Sequence, residues 1–218
     1  MRKLPDHSEA NSVSGIWFVF PDEVAIIKVW LSTMTGKEKV YANEALVYET
    51  RNIHKFATHY DIDYAGHQYE VEILTRNIMT FTIACNLFRE GRLVGAQFCG
   101  LDSFGVFKVQ PAPDTTEIQM RALSRYRSRA QVYLQEFDLQ EARHQYEWIL
   151  SVDDEDAEAH FYLACIASLE EDTDRAFHHL AQALHYGLSG LERIRSVDYL
   201  AYLRVQPAFE RFCAEYAI

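Results

Sequence analysis

Sliding the C-terminal half of the chain against itself by thirty-four residues brings its small and apolar positions into register, and no other feature restricts the possible folds as much. Tyr126 falls on His160, Ala130 on Ala164, Tyr133 on Ala167, Asp138 on Asp172, Ala142 on Ala176, Tyr146 on Leu180 and Leu150 on Leu184, with no gap. A period of this length, with helical spacing inside it, predicts helix–turn–helix units stacked side by side. The small residues have a physical reason: helix axes approach to about 8 Å only where Ala or Gly sits at the crossing. Ala130 and Ala142 take that place in the first unit, and Ala164 and Ala176 in the second. Tyr133, Tyr146, Leu163 and Leu180 are of a size to fill the space beside them. The run Asp153-Asp154-Glu155-Asp156 puts acid before the next helix, where the macrodipole favours it.

The N-terminal half follows a different period. From Phe56 to Tyr64, Phe, Thr, Tyr, Ile and Tyr share one parity, while Ala, His, Asp and Asp share the other. That is an amphipathic strand. Ala65-Gly66 turns it into His67 to Thr75, and a run from Thr80 to Leu87 with Phe81, Ile83, Cys85 and Leu87 on one side turns at Glu90-Gly91 into Leu93 to Phe98. Ile16 to Phe20, Val24 to Leu31 and Lys39 to Tyr48 are rich in β-branched and aromatic residues, broken at Pro21-Asp22 and Thr35-Gly36. Seven or eight strands at this spacing predict an antiparallel sandwich or barrel. Around Gln110-Pro111-Ala112-Pro113-Asp114 the pattern breaks, and charge shifts with it: residues 1–110 carry eleven basic and thirteen acidic groups, residues 111–218 ten and nineteen. The expected organisation is an α+β protein with a flexible tail over 1–13, a β-sandwich over 14–109, a linker over 110–118 and a helical repeat domain over 119–218.

The period, the crossing alanines and the run Gln135-Glu136-Phe137-Asp138-Leu139-Gln140-Glu141-Ala142, in which Asp and then Glu-Ala open a second helix, resemble the tetratricopeptide repeat. After Leu184, the stretch Asp198-Tyr199-Leu200-Ala201-Tyr202-Leu203-Arg204, followed by Pro207-Ala208-Phe209, is similar to that family's closing segment. The resemblance covers about 100 residues and implies two repeats and a capping helix over 209–218, with Phe209 and Phe212 turned inward. His160 stands where the family has an aromatic residue, and Asp154 where it has proline. The N-terminal half, with Trp17, Val19, Pro21-Asp22, Thr35-Gly36-Lys37, Val40-Tyr41-Ala42-Asn43 and Arg89-Glu90-Gly91-Arg92, resembles the β-sandwich of the Fas apoptotic inhibitory molecule family. That likeness implies a domain without catalytic machinery.

The residues themselves point away from chemistry. There is no GxGxxG, GxxxxGK[ST], HExxH or GxSxG motif and no EF-hand loop. Cys85, Cys99, Cys165 and Cys213 stand singly, which predicts buried free thiols. Nine histidines raise the question of a metal, but His144 and His178 sit in equivalent places of successive repeats, about 10 Å apart. Neither they nor His179 and His185 form a convergent ligand set, so no metal and no cofactor are expected. Glu70/Glu72 and Asp61/Asp63 read as the solvent face of an amphipathic sheet. A net charge of −11 opposes nucleic acid and anionic membranes as partners. With no long apolar run and no apolar leader in the first fifteen residues, the expectation is a soluble, cytoplasmic protein.

What remains is surface. By register, the first helix of each repeat lines a groove with Ser124, Arg127, Ser128, Gln131 and Gln135 in unit one and Glu158, Phe161, Tyr162, Cys165 and Leu169 in unit two. Arg127 and Gln131 fall where the resemblance implies a grip on a peptide carboxylate, whereas Glu158 and Tyr162 replace the remaining clamp residues, so acidic C-terminal tails are disfavoured. The expected function is a non-enzymatic adaptor that binds a peptide or helix of another protein through Arg127, Gln131, Phe161, Tyr162 and Leu169. With two repeats instead of three, packing of Phe161, Tyr162 and Leu169 against the β domain or the capping helix is an equal alternative for those three residues. A ligand-binding or catalytic β domain, with His54, His59 or His67 lining a pocket and the helices serving regulation or dimerisation, is the alternative function. Self-association as a homodimer is a third.

Overall fold

The computed structural model describes residues 4–11, 15–52, 57–77, 82–102 and 105–218. They fall into two compact units, Met1–Gln119 and Met120–Ile218. The architecture is α+β: two antiparallel five-stranded sheets come first and helices follow.

One sheet contains β1 (Glu9–Asn11), β2 (Gly15–Pro21), β3 (Ile26–Leu31), β4 (Lys37–Ala42) and β5 (Ala45–Arg51) in that spatial order. The other contains β6 (Ala57–Tyr64), β7 (His67–Asn77), β8 (Thr82–Arg89), β9 (Arg92–Leu101) and β10 (Phe107–Pro111), also with sequential neighbours paired. Alternation does what the period-2 pattern requires. Phe18, Phe20, Ile27, Val29 and Val40 of the first sheet enter one buried cluster with Tyr60, Tyr69, Val71, Cys85 and Leu87 of the second. A polar link ties the two sheets at one end: Asp22, after β2, accepts hydrogen bonds from the Tyr69 hydroxyl at 2.8 Å and from Arg89 Nη1 at 2.7 Å. Burial raises the Asp22 pKa, but Tyr69, the backbone amides of Glu23 and Val24 and the Arg89 guanidinium together bring it below the ordinary carboxylate value. Tyr69 is correspondingly pushed up to about 12, by burial first and then by Asp22.

Three boundaries differ from the sequence expectation. Residues 9–11, expected in a flexible tail, form β1 through backbone pairing with Trp17, Ile16 and Gly15. That pairing needs no apolar alternation, and only Ala10 reaches the core. The apolar run from Lys39 to Tyr48 is a hairpin, because Asn43 and Glu44 both take positive φ (45° and 71°) and reverse the chain in two residues. The linker starts later than 110: β10 runs through Pro111, which pairs with Gln97 on an edge strand where a missing N–H is tolerated. Phe56 and Phe81, read as strand residues, lie outside the described residues.

The helices are α1 (Thr116–Gln135), α2 (Leu139–Val152), α3 (Ala157–Leu169), α4 (Thr173–His185), α5 (Glu192–Ser196), α6 (Ala201–Arg204) and α7 (Phe209–Tyr216), with a 3-10 turn at Asp198–Leu200 before α6. The α1–α2 and α3–α4 turns are built alike. Phe137 and Glu171, thirty-four residues apart, take left-handed φ values of 59° and 61°. In the first turn Asp138 N donates to Tyr133 O at 2.9 Å and Phe137 N to Leu134 O at 3.2 Å. In the second, Asp172 N donates to Ala167 O at 2.9 Å and Glu171 N to Ser168 O at 3.1 Å. This is the paired 6→1 and 5→2 closure of a helix C-terminus. Each turn then starts its second helix with an aspartate cap: Asp138 accepts from Glu141 N at 3.3 Å and Asp172 from Arg175 N at 3.0 Å. Ala130, Ala142, Ala164 and Ala176 are fully buried, as close helix crossing demands.

α3 is buried on nearly every side. After α4, the chain folds back so that Ile194, Leu200, Leu203, Phe209 and Cys213 join Phe161, Ala164, Cys165 and Ala167 in one apolar cluster. Leu203 N donates to the buried Ser168 hydroxyl at 3.3 Å, which ties α6 to the end of α3.

Candidate functional site

The groove residues divide sharply. On α1, Ser124, Ser128, Gln131 and Gln135 are exposed and Arg127 is half-buried. Their spacing of three, four, seven and eleven residues places them on one helical stripe. Arg127 forms an ion pair with Asp156, the residue that caps α3 by accepting from Ala159 N at 2.9 Å. The guanidinium thus ties the first hairpin to the start of the second, and Gln131 stands free of that pair on open surface.

On α3 the expectation for Phe161 is corrected: its side chain is fully buried and unavailable to a partner. It packs in one cluster with Leu200, Leu203 and Phe209, and the guanidinium of Arg193 of α5 lies 4.2 Å from the Phe161 ring centroid and 5.7 Å from that of Tyr162. Arg193 is held there by Glu158, whose two carboxylate oxygens accept from Nη1 and Nη2 at 2.7 and 3.0 Å. Cys165 is also buried, and its thiol is pushed up to about 12 by burial. Tyr162 and Leu169 remain half-buried. Tyr162 stacks on Tyr146 of α2, with centroids 5.2 Å apart and planes 13° from parallel. The Tyr146 hydroxyl is buried and has no hydrogen-bond partner among the described residues. Its acidity is suppressed by burial first, then by Tyr162, Cys165, Glu158 and Tyr199 around it. Glu158, Tyr162 and Arg193 therefore form a partly exposed cluster on the helical unit, with Tyr162 stacked on Tyr146. Arg193 did not stand out in the sequence, and Tyr146 stood out only as a large residue beside the crossing alanines. Arg193 lies thirty-five residues from Glu158, in a stretch with no repeat register to point to it.

The histidines of the sheets do not converge. His54 lies outside the described residues. His59 shares the parity of exposed Asp61 and Asp63, whereas His67 shares that of the buried Tyr69, so the two project to opposite faces. His67 Nδ1 is 2.7 Å from Glu90 Oε1. His144, His178 and His185 on the helices are exposed. Glu70 and Glu72, expected at the solvent face, are each only 3% exposed. They project from a strand with neighbours on both sides. His59 Nδ1 lies 3.3 Å from Glu70 Oε1, and Asn86 Nδ2 donates to Glu72 Oε2 at 2.6 Å. Alternation fixes the face from which they project, not how much of that face meets solvent. The four cysteines are free and buried. Among the described residues no group of three or more His, Cys, Asp or Glu side chains is placed to hold a metal ion, and no helix is long and apolar enough to cross a membrane.

No protein-family model matches the chain, and neither a curated protein nor a solved structure does.

Proposed function

We propose that the helical unit is a tetratricopeptide-type array of two hairpins closed by its own C-terminal segment, that the two sheets make a β-sandwich, and that the protein is a non-enzymatic adaptor. The observation that carries this reading is the repetition of one turn, with the same backbone closure and the same aspartate cap, thirty-four residues apart. Stacked hairpins of this kind present the first helix of each pair as a continuous recognition face. Here the closing segment takes the α3 part of that face through Arg193 and leaves α1 open. The partner, a peptide or helix of another protein, would then lie along Ser124, Arg127, Ser128 and Gln131, with Tyr162 and Leu169 at the margin. Amide and hydroxyl groups at helical spacing suit hydrogen bonding to such a segment, and Tyr162 offers it an aromatic anchor.

The test is a photo-crosslinking residue placed at Gln131 or Ser128, with exposed Glu147 on α2 as control. The reading predicts a defined protein adduct from the first two positions and none from the third. Adducts of equal yield and identity from all three positions would refute it.

A further inference from the structure

Two imidazoles join α3 to α4. His160, on α3 and 8% exposed, brings Nδ1 to 3.1 Å from Nδ1 of His179 on α4. Their ring centroids are 5.4 Å apart. That separation is what the nitrogen contact plus one ring radius on each side gives along a straight line, so each lone-pair axis points at the other ring. Two nitrogens placed in this way share one hydrogen, since two bare nitrogens or two N–H groups would repel. A metal ion held by both would instead make the two axes converge on a point beside the contact.

The other nitrogen of His160 fixes the proton positions. Its Nε2 lies 3.1 Å from the carbonyl oxygen of Asp154, in the α2–α3 turn. A carbonyl only accepts, so Nε2 carries hydrogen. In the neutral pair, Nδ1 of His160 is therefore the acceptor and His179 donates its Nδ1–H. One added proton leaves an N–H···N bond in place whichever ring carries the charge. A second sets N–H against N–H and breaks it.

The surroundings oppose that second proton. His179 is partly buried, and the charged or chargeable groups acting on it are His160 of α3, His178 and Arg175 of α4, and Arg143 of α2. All are cationic when protonated, and Arg143 and Arg175 have their own partners in Glu170 and Asp172. Burial first and this positive ring second push His179 down to about 4. Tyr186, the C-cap of α4, stacks on the His160 ring at 5.6 Å, so the end of α4 is fastened at the same place.

We propose that the His160–His179 pair is an acid-sensitive clasp, closed by a shared proton near neutrality and opened by a second proton, which releases α4 and the α2–α3 turn from α3. In the unfolded chain His179 binds its proton at the ordinary histidine value of 6.5, in the folded chain only at about 4. The clasp therefore contributes fully above 6.5, and its contribution falls as the pH drops between those values.

The test is nitrogen-15 NMR of the full chain labelled at histidine, titrated from about pH 8 to about pH 3.5 across the range in which histidines change charge. The expected result has His160 as the Nε2–H tautomer at neutrality and His179 titrating at least about one pH unit below an ordinary histidine. Over the same range, amide exchange across 173–185, corrected for intrinsic rate, should rise by roughly tenfold or more as the local opening becomes favourable. In His160→Gln the like charge is gone, and the His179 midpoint should move up by about one unit. If that variant does not fold, the wild-type titration decides alone. An Nδ1–H tautomer at His160, or both rings titrating together at the ordinary value, would overturn the proposal.

Discussion

Truncating Phe161 to alanine separates a core side chain from a recognition side chain more cleanly than any other change. The ring is fully buried, with Arg193 laid across it at 4.2 Å and Leu200, Leu203 and Phe209 in the same cluster. Removing a buried phenylalanine costs about 3–5 kcal/mol, as lost transfer energy plus the cavity left behind. The cation–π contact with Arg193 accounts for about 0.5–1 kcal/mol of that, since Glu158 keeps the guanidinium in place. Against a typical domain stability of about 5–15 kcal/mol, this is a large fraction. With a urea m-value of about 2 kcal/mol/M, the midpoint for the helical signal at 222 nm should fall by about 1.5–2.5 M. Gln131→Ala, on open surface, should stay within about 0.5 kcal/mol of wild type. Equal midpoints for Phe161→Ala and wild type, together with lost partner capture, would mean that Phe161 faces solvent and that the closing segment does not cover α3.

Asp22→Asn should cost about 1.5–3 kcal/mol, because the charge-assisted bonds from Tyr69 and Arg89 are lost at a nearly buried carboxylate. The folded pKa of Asp22 lies below its ordinary value of 3.8, so its contribution is present above that pH and lost on acidification; thermal melts from pH 6 downwards should slope less in the variant around and below that value. Gly15→Ala places a methyl group 2.4 Å from Leu31 O and 2.7 Å from Trp30 Nε1 at a φ of +98°, and a loss of at least about 2 kcal/mol should appear in the unfolding midpoint of the sheet unit. Phe137→Gly should raise the stability of the helical unit by about 0.5–1 kcal/mol, because the ring is 65% exposed and its backbone is left-handed; a lower urea midpoint would show that the ring contributes packing.

The parts of the fold that were legible in the sequence are those whose cause is local. Ala65-Gly66 and Glu90-Gly91 announce two-residue turns because glycine takes the second positive φ at no steric cost. Asn43-Glu44 makes the same turn with a glutamate at φ 71°, and nothing in the residue types warns of it. The crossing alanines and the aspartate caps were readable because a repeat displays each of them twice. Tertiary placement was not. Register gives the position of Phe161 along α3, but cannot say that Arg193, from a stretch outside the repeat, lies over its ring. In the same way, alternation places Glu70 and Glu72 on the outward side of β7 without revealing how little of either meets solvent. His160 announces itself only as a histidine where an aromatic ring was due, and its partner is nineteen residues away on the next helix.

The matching turns at Phe137 and Glu171 make the segment between them a modular cassette. Both junctions have the same torsion and the same backbone donors, so a second copy of residues 137–170 spliced in tandem would meet compatible ends on either side. Such a chain should grow by one hairpin and keep its closing segment on the last copy of α3. Length could be added in this way without any new junction having to be invented.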